Sequence, residues 1–288
     1  MSVAEDHSLE LFLAERPRLR ALAYRMLGSL SDAEDVVQDA WLRWTAADTG
    51  GVDSPRAFLT TLTARLALDR LRAARASRET YVGPWLPEPV VAPDDAPEEP
   101  EGSVPLALLV LLERLTPEQR AVYVLREAME LSYAEIAGIL GRTPESCRQI
   151  MKRAREGLDG PPRFTADDRA SRALAAAFDQ ASASLDYRRI VALFGGDAVL
   201  VSDGGGVARA ALNPIRGPDR IARFLLGVQR KNDLRFELTP VRVNGAPGFV
   251  VRARGRVLGV LGIEAEDGLI RRLYLIVNPH KLALPEPA

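Results

Sequence analysis

Apolar side chains recur at helical spacing through the first half of the chain. Between residues 8 and 28, Leu9, Phe12, Leu13, Leu19, Leu22, Ala23 and Met26 make one stripe, which predicts an amphipathic helix ended by Gly28. Pro17, which lacks an amide hydrogen, is expected to interrupt or restart it. Ser31 and Glu34 have capping-box spacing for a second helix, where Val37, Ala40, Trp41 and Trp44 share a side against Asp32, Asp35, Gln38, Asp39 and Arg43. Ser54 and Pro55 open a long third helix with Phe58, Leu59, Leu62, Leu66 and Leu71 as its apolar positions. After a proline-rich break, an ALLVLLERL run leads to Thr116, Pro117 and Gln119, which read as cap, first helical position and box partner of the helix carrying Val122, Val124 and Leu125.

Residues 131–156 read as two short helices about a glycine turn. Ser132 and Glu135 form another capping box, Gly141 ends the first helix, and Thr143 with Pro144 starts the second. That second helix places Cys147, Ile150, Met151, Ala154 and Leu158 on one side, with Ser146, Arg148, Gln149, Lys152, Arg153 and Arg155 largely elsewhere. Docked by its apolar side, it presents arginine and glutamine outward, the groups that reach base edges in a major groove, flanked by cations for phosphates. An ordinary helical hairpin with a solvated basic face satisfies the same pattern.

The pattern then changes. Residues 81–105, YVGPWLPEPVVAPDDAPEEPEGSVP, are too rich in proline for a helix or a central strand. Asp94, Asp95, Glu98, Glu99 and Glu101 have no neighbouring positive charge and suit a solvated linker, whereas Trp85 and Leu86 are costly to leave in water and call for a docking surface. Gly157, Gly160, Pro161 and Pro162 mark a boundary. Beyond it come helices near 167–184, 186–194 and 218–230, and strands around AVLVSD, LRFELTPVRVN, GFVVRARGRVLGVLGIEAE and LIRRLYLIVN, with NGAPG and EDG as hairpin turns. Helices grouped early and antiparallel strands late argue α+β. The expected organisation is therefore a helical domain over 1–80, a linker over 81–105, a second helical domain over 106–160 and an α+β domain over 161–288.

Composition adds a few limits. A net charge of −1 over 288 residues conceals basic clusters near 56–78 and 142–155, and for nucleic-acid binding the local patch matters more than the total. In the third helix Arg56, Arg65, Arg70, Arg72, Arg75 and Arg78 outweigh Asp69, making a second candidate nucleic-acid surface. The acidic second helix suits a basic protein partner instead. Cys147 alone excludes an intramolecular disulfide, and His7 and His280 lack cysteine partners at metal-ligand spacing, so neither zinc nor a cofactor is expected. The chain lacks an N-terminal targeting pattern or an apolar run of membrane-spanning length, and a cytosolic protein is expected.

Taken together and in order, LGSLSDAEDVVQDAWLRW, RAFLTTLTARLALDRLR and LTPEQRAVYVLREAMELSYAEIAGILGRTPESCRQIMKRARE resemble regions 2 and 4 of the bacterial sigma-70 family, and more closely its extracytoplasmic-function branch, over roughly residues 8–160. The resemblance implies that Asp32, Asp35, Gln38, Asp39 and Trp41 contact the clamp helices of the RNA polymerase β′ subunit. It also implies that Arg65, Arg70, Arg72 and Arg75 serve the minus-10 element, and that Ser146, Arg148, Gln149, Lys152 and Arg153 read the minus-35 element of promoter DNA. The last domain resembles the SnoaL-like, nuclear-transport-factor-2-like fold, a sheet wrapped by helices into a cone.

YVGPWLPEP, the glycines of SDGGG and the terminal NPHKL further resemble the subgroup with such a fused domain, in which the extension controls the sigma factor in cis. That assigns a regulatory part to Trp85, Leu86, Pro87, Asp203, Gly204, Gly205, Gly206, Asn278, Pro279 and Lys281. Val207 and His280 depart from the pattern, where lysine and an acidic residue are usual. Two other readings stay open: a helix-turn-helix repressor or activator sensing a small-molecule ligand through its last domain, and a bifunctional protein with an enzyme there, for which Asp186, Asp203 and Tyr274 are the available acids and bases.

Overall fold

The computed structural model describes residues 3–47, 52–96, 104–158, 168–232 and 235–282. The chain forms two compact units, Met1–Glu79 with Pro100–Val104 and Leu108–Pro162, and Thr80–Glu99 with Pro105–Ala107 and Arg163–Ala288. The expected breakpoint residues Gly160, Pro161 and Pro162, and the linker acids Glu98, Glu99 and Glu101, lie outside the described residues.

The first unit is helical: α1 (Val3–Leu27), α2 (Leu30–Ala46), α3 (Pro55–Glu79), α4 (Leu106–Leu112), α5 (Pro117–Glu127), α6 (Tyr133–Leu140) and α7 (Pro144–Gly157). Pro17 does not interrupt α1, which runs through it. The lost hydrogen bond is outweighed by the burial of Phe12 and Leu19 on either side, in one core with Val37, Trp44 and Leu59. The cap of α2 is also not the expected one. Gly28 takes a left-handed φ of 69°, so the helix begins earlier and Ser29 is its N-cap, accepting from the Asp32 amide. Glu34 pairs with Arg16 and Arg20 instead. The reciprocal boxes at Thr116/Gln119 and Ser132/Glu135, the left-handed Gly141 (φ 64°) and the Thr143 cap all form as the local sequence requires.

The second unit is α+β. Helices α8 (Asp168–Ala183), α9 (Tyr187–Ala192) and α10 (Pro218–Asn232) accompany a seven-stranded sheet of β1 (Val91–Pro93), β2 (Phe194–Asp203), β3 (Ile215–Arg216), β4 (Glu237–Val243), β5 (Ala246–Ala253), β6 (Arg256–Glu266) and β7 (Leu269–Ile276). The order is β1-β4-β5-β6-β7-β2-β3, with β2 and β7 parallel and the other pairs antiparallel. Phe178 of α8 packs on Phe194 and Phe249 at the centre of the core between helices and sheet. Asn244–Gly245 and Asp267–Gly268 make the expected hairpin turns, each with two positive φ values. The segment GFVVRARGRVLGVLGIEAE is two strands, because Arg254 and Gly255 (φ 52° and 72°) turn the chain in the same way.

Part of the stretch expected to be a solvated linker is structured. Val91–Pro93 adds an edge strand to β4, a place where proline's missing donor costs no ladder bond. Asp94 is not without a counter-charge either, since Arg172 of α8 lies 2.8 Å away. Among the described residues no helix is long and apolar enough to cross a membrane.

Candidate functional site

Three groups of side chains stand out, two in the helical unit and one in the α+β unit. On α7, Cys147, Met151 and Ala154 are buried and fix the helix, while Arg148, Gln149, Lys152 and Arg153 are exposed on the other side and Ser146 is half-buried. Arg148 pairs with Glu145 one turn earlier, at 2.5 Å, and lies over the Tyr133 ring, 5.9 Å from its centroid. Exposed pairs of this spacing contribute a few tenths of a kcal/mol, so a stronger acceptor can replace it.

On α2 and α3 the two expected surfaces meet. Arg70 donates from Nε to Asp32 (2.8 Å) and from Nη2 to Asp35 (2.6 Å). Burial works against its charge, but those two carboxylates outweigh burial and raise its pKa. Gln38 and Asp39 stay exposed, and the half-buried Trp41 packs against Phe12, with the ring centroids 4.9 Å apart and the planes tilted by 52°. Arg65 donates to the carbonyls of Ile139 (2.8 Å) and Gly138 (3.0 Å), groups at the end of α6 that no helical amide can satisfy. Arg72 pairs with Glu118 of α5. Arg75 is exposed, with no side-chain partner among the described residues. Three of the four candidate α3 arginines are thus engaged by protein groups.

The third group gathers the linker, the glycine loop and the NPHKL segment around one carboxylate. Asp203, fully buried at the end of β2, accepts four bonds. Tyr81 Oη (2.6 Å) and the Gly205 amide (3.0 Å) reach Oδ1, while the Leu86 amide (2.8 Å) and Lys281 Nζ (2.7 Å) reach Oδ2. Lys281, only 9% exposed, also donates to the Leu86 carbonyl (2.5 Å) and lies 4.0 Å from the Trp85 ring centroid, a cation–π contact that retains its value when desolvated. Asn278 donates to Tyr81 Oη at 2.9 Å and caps the 3₁₀ turn Pro279–Lys281. Leu86 and Pro87 are buried.

The glycines are structural requirements of this arrangement. Gly205 and Gly206 have φ of 62° and 73°, and a Cβ on Gly205 would overlap the Asn278 amide. Val207 and His280, the departures from the subgroup pattern, are exposed, and His280 meets the network only through its backbone amide, which donates to Asn278 at 3.1 Å. Tyr81 was missing from the expected set. It opens YVGPWLPEP, and its signal is an aromatic with a polar tip that needs a partner once buried.

The acids and bases considered for catalysis do not share a site. Asp186 caps α9 by accepting from the Arg189 amide, and Asp203 is saturated by the donors above. Tyr274 donates to Glu264 at 2.7 Å. Burial, with the Glu264 carboxylate adding to it, pushes the Tyr274 pKa well above its usual value, which keeps the hydroxyl protonated.

Residues 11–77 match the family Sigma-70 region 2, and residues 106–158 match Sigma-70, region 4. The ECF RNA polymerase sigma factor SigJ of Mycobacterium tuberculosis is 38% identical over 286 residues, spanning 94% of this chain and 91% of that protein. The probable ECF RNA polymerase sigma factor SigI of the same species is 30% identical, spanning 93% and 92%. The crystal structure of M. tuberculosis SigJ superposes with a TM-score of 0.77 at 34% identity, covering 95% of this chain and 97% of that one.

Proposed function

Because this chain belongs to the extracytoplasmic-function sigma factors of the sigma-70 family, we propose that it recruits core RNA polymerase to a promoter and that its α+β unit governs that step in cis. Region 2 corresponds to α1–α3 and region 4 to α4–α7. In this reading Asp32, Asp35, Gln38, Asp39 and Trp41 meet the β′ clamp helices, Arg65, Arg70, Arg72 and Arg75 hold the minus-10 element, and Ser146, Arg148, Gln149, Lys152 and Arg153 read the minus-35 element. The protein acts in the cytoplasm, where core polymerase and promoters are. Its sigma function requires no covalent chemistry.

The observation that carries the cis-regulatory part is the seating of Trp85 and Leu86 on Asp203 and Lys281. The linker between regions 2 and 4 is held by the unit that follows them, so contacts in that unit can bias how the two regions are disposed. The engaged state of Arg65, Arg70 and Arg72 fits a resting arrangement that exchanges protein partners for DNA. Such a shift needs contacts that differ between the two states, and the linker seat supplies them.

Replacing Trp85 and Leu86 together with alanine is expected to change promoter output in transcription with core enzyme while both units stay folded. Chains ended before and after NPHKL should differ in the same assay. Unchanged output in both comparisons sinks the cis-regulatory reading. A ligand-sensing repressor would instead bind duplex sites tightly without core enzyme. Arg148→Ala is expected to cost about 1–3 kcal/mol in discrimination at one minus-35 position, as loss of a bidentate base contact does. An equal loss on every sequence would reassign Arg148 to a phosphate.

A further inference from the structure

Within the helical unit a cleft of about 630 Å³ opens between α1, the start of α3, and the α5–α6 turn with the α6 helix. Three arginines line it, and they differ in how far the protein satisfies them. Arg18 is committed to Glu15 (2.6 Å) and Thr60 (2.7 Å). Arg56 is 69% exposed and reaches Glu15 only at 3.9 Å. Arg25 is half-buried, yet its guanidinium makes no hydrogen bond or ion pair among the described residues. Burial alone lowers its pKa, with no acid offsetting it. The contrast lies within the same unit, where Arg65, Arg70, Arg72, Arg78 and Arg120 each donate to a carboxylate or a carbonyl. Of the acids in the lining, Glu135 is committed to the Ser132 amide, and Glu130 is exposed.

We propose that this cleft binds a phosphorylated small molecule, with Arg25 and Arg56 on its phosphates. The planar guanidinium fork matches phosphate oxygens in pairs. Ser54 and Thr61 bring further donors to the same wall. The volume lies in the range of small-molecule sites and accommodates a mononucleotide, whereas a nucleic-acid duplex does not fit. One wall belongs to region 2 and the other to region 4, so the ligand binds fully only while both walls are in place. By mass action it stabilises that packing. The site stands on the geometry of the helical unit and does not depend on control by the α+β unit.

The test is calorimetric titration of the full-length protein, without polymerase, using ATP and inorganic tripolyphosphate as separate probes. Saturable binding of at least one probe is expected, together with a rise in melting temperature. Arg25→Gln should weaken binding at least about tenfold and abolish the rise, Arg25→Lys should restore part of both, and Arg209→Gln in the other unit should change neither. A far-ultraviolet spectrum matching the parent shows that each variant is folded, and Arg56→Gln repeats the test from α3 should Arg25→Gln fail to fold. Absence of saturation by either probe up to about 5 mM overturns the proposal, as does equal affinity in the Arg25 and Arg56 variants. Binding of a short single-stranded oligodeoxynucleotide through Arg25 where neither probe binds would give the cleft to a nucleic-acid backbone, and also overturns it.

Discussion

Asp203→Ala is expected to lower the unfolding free energy by about 3–5 kcal/mol, because it strands a buried ammonium without its counter-charge. Lys281 is 9% exposed and Asp203 not at all, so solvent cannot take over the charge. The loss extends past the ion pair. The buried Leu86 amide and the part-buried Gly205 amide and Tyr81 hydroxyl give up the same acceptor, which places the expected loss toward the upper end of that range. Removing both charges should be milder than removing one. In Asp203→Ala combined with Lys281→Met, the apolar chain can still lie against Trp85, and urea denaturation of the full chain should show a coupling of more than about 1 kcal/mol between the sites. Strict additivity would mean that the two groups do not depend on each other, and the linker seat would lose its centre. In transcription, the single variant should resemble the Trp85/Leu86 double variant, since both release the same segment.

Features set by neighbours in sequence were legible, and features set by distant partners were not. The caps at Thr116, Ser132 and Thr143 and the left-handed Gly141 depend on three or four consecutive residues, as do the turns at Asn244–Gly245 and Asp267–Gly268. Arg254–Gly255 makes the same turn without the Asn or Asp that announces it before the glycine, because the pairing of β5 with β6 imposes the geometry. Pro17 misleads for the converse reason: its local cost is real but smaller than the burial of the α1 stripe. Ser31 against Ser29 is a matter of register, decided by where Gly28 turns the chain. The motifs YVGPWLPEP, SDGGG and NPHKL could be read as belonging together only through resemblance. Their convergence joins residues up to 197 positions apart, as Asn278 and Tyr81 are, beyond the reach of periodicity. The engagement of Arg65, Arg70 and Arg72 was invisible for the same reason, since a basic helix reads alike whether it faces phosphates, carboxylates or the end of another helix.

Glu113→Ala should be as costly in the helical unit as Asp203→Ala is in the other. One carboxylate there serves two guanidiniums: Arg120, 1% exposed, and Arg78, 18% exposed, both pair with Glu113. Arg78 also donates to the Leu27 carbonyl at 2.8 Å and Arg120 to the Arg25 carbonyl at 3.1 Å, so the cluster joins the end of α1 to α3 and α5. Burial lowers the Arg78 pKa, and the nearby Arg120 adds to that while Glu113 opposes it. Without Glu113 two like charges remain together in a poorly solvated place, where Arg120 Nη2 already has no hydrogen-bond partner among the described residues. The expected loss is about 3–5 kcal/mol. Glu118→Ala, which breaks the more exposed pair with Arg72, should cost less than about 1 kcal/mol. The Glu118 pair also depends on pH. Burial tends to raise the Glu118 pKa, but the Arg72 hydrogen bond and charge prevail and hold it below the ordinary carboxylate range. The contribution of that pair is therefore present above the unfolded glutamate value near about 4.3 and fades only as pH falls through the lower folded value. Urea titrations of the parent and both variants decide the matter: a Glu113→Ala loss no larger than that of Glu118→Ala would show that Arg78 and Arg120 find other acceptors, and that the carboxylate does not hold region 4 against region 2.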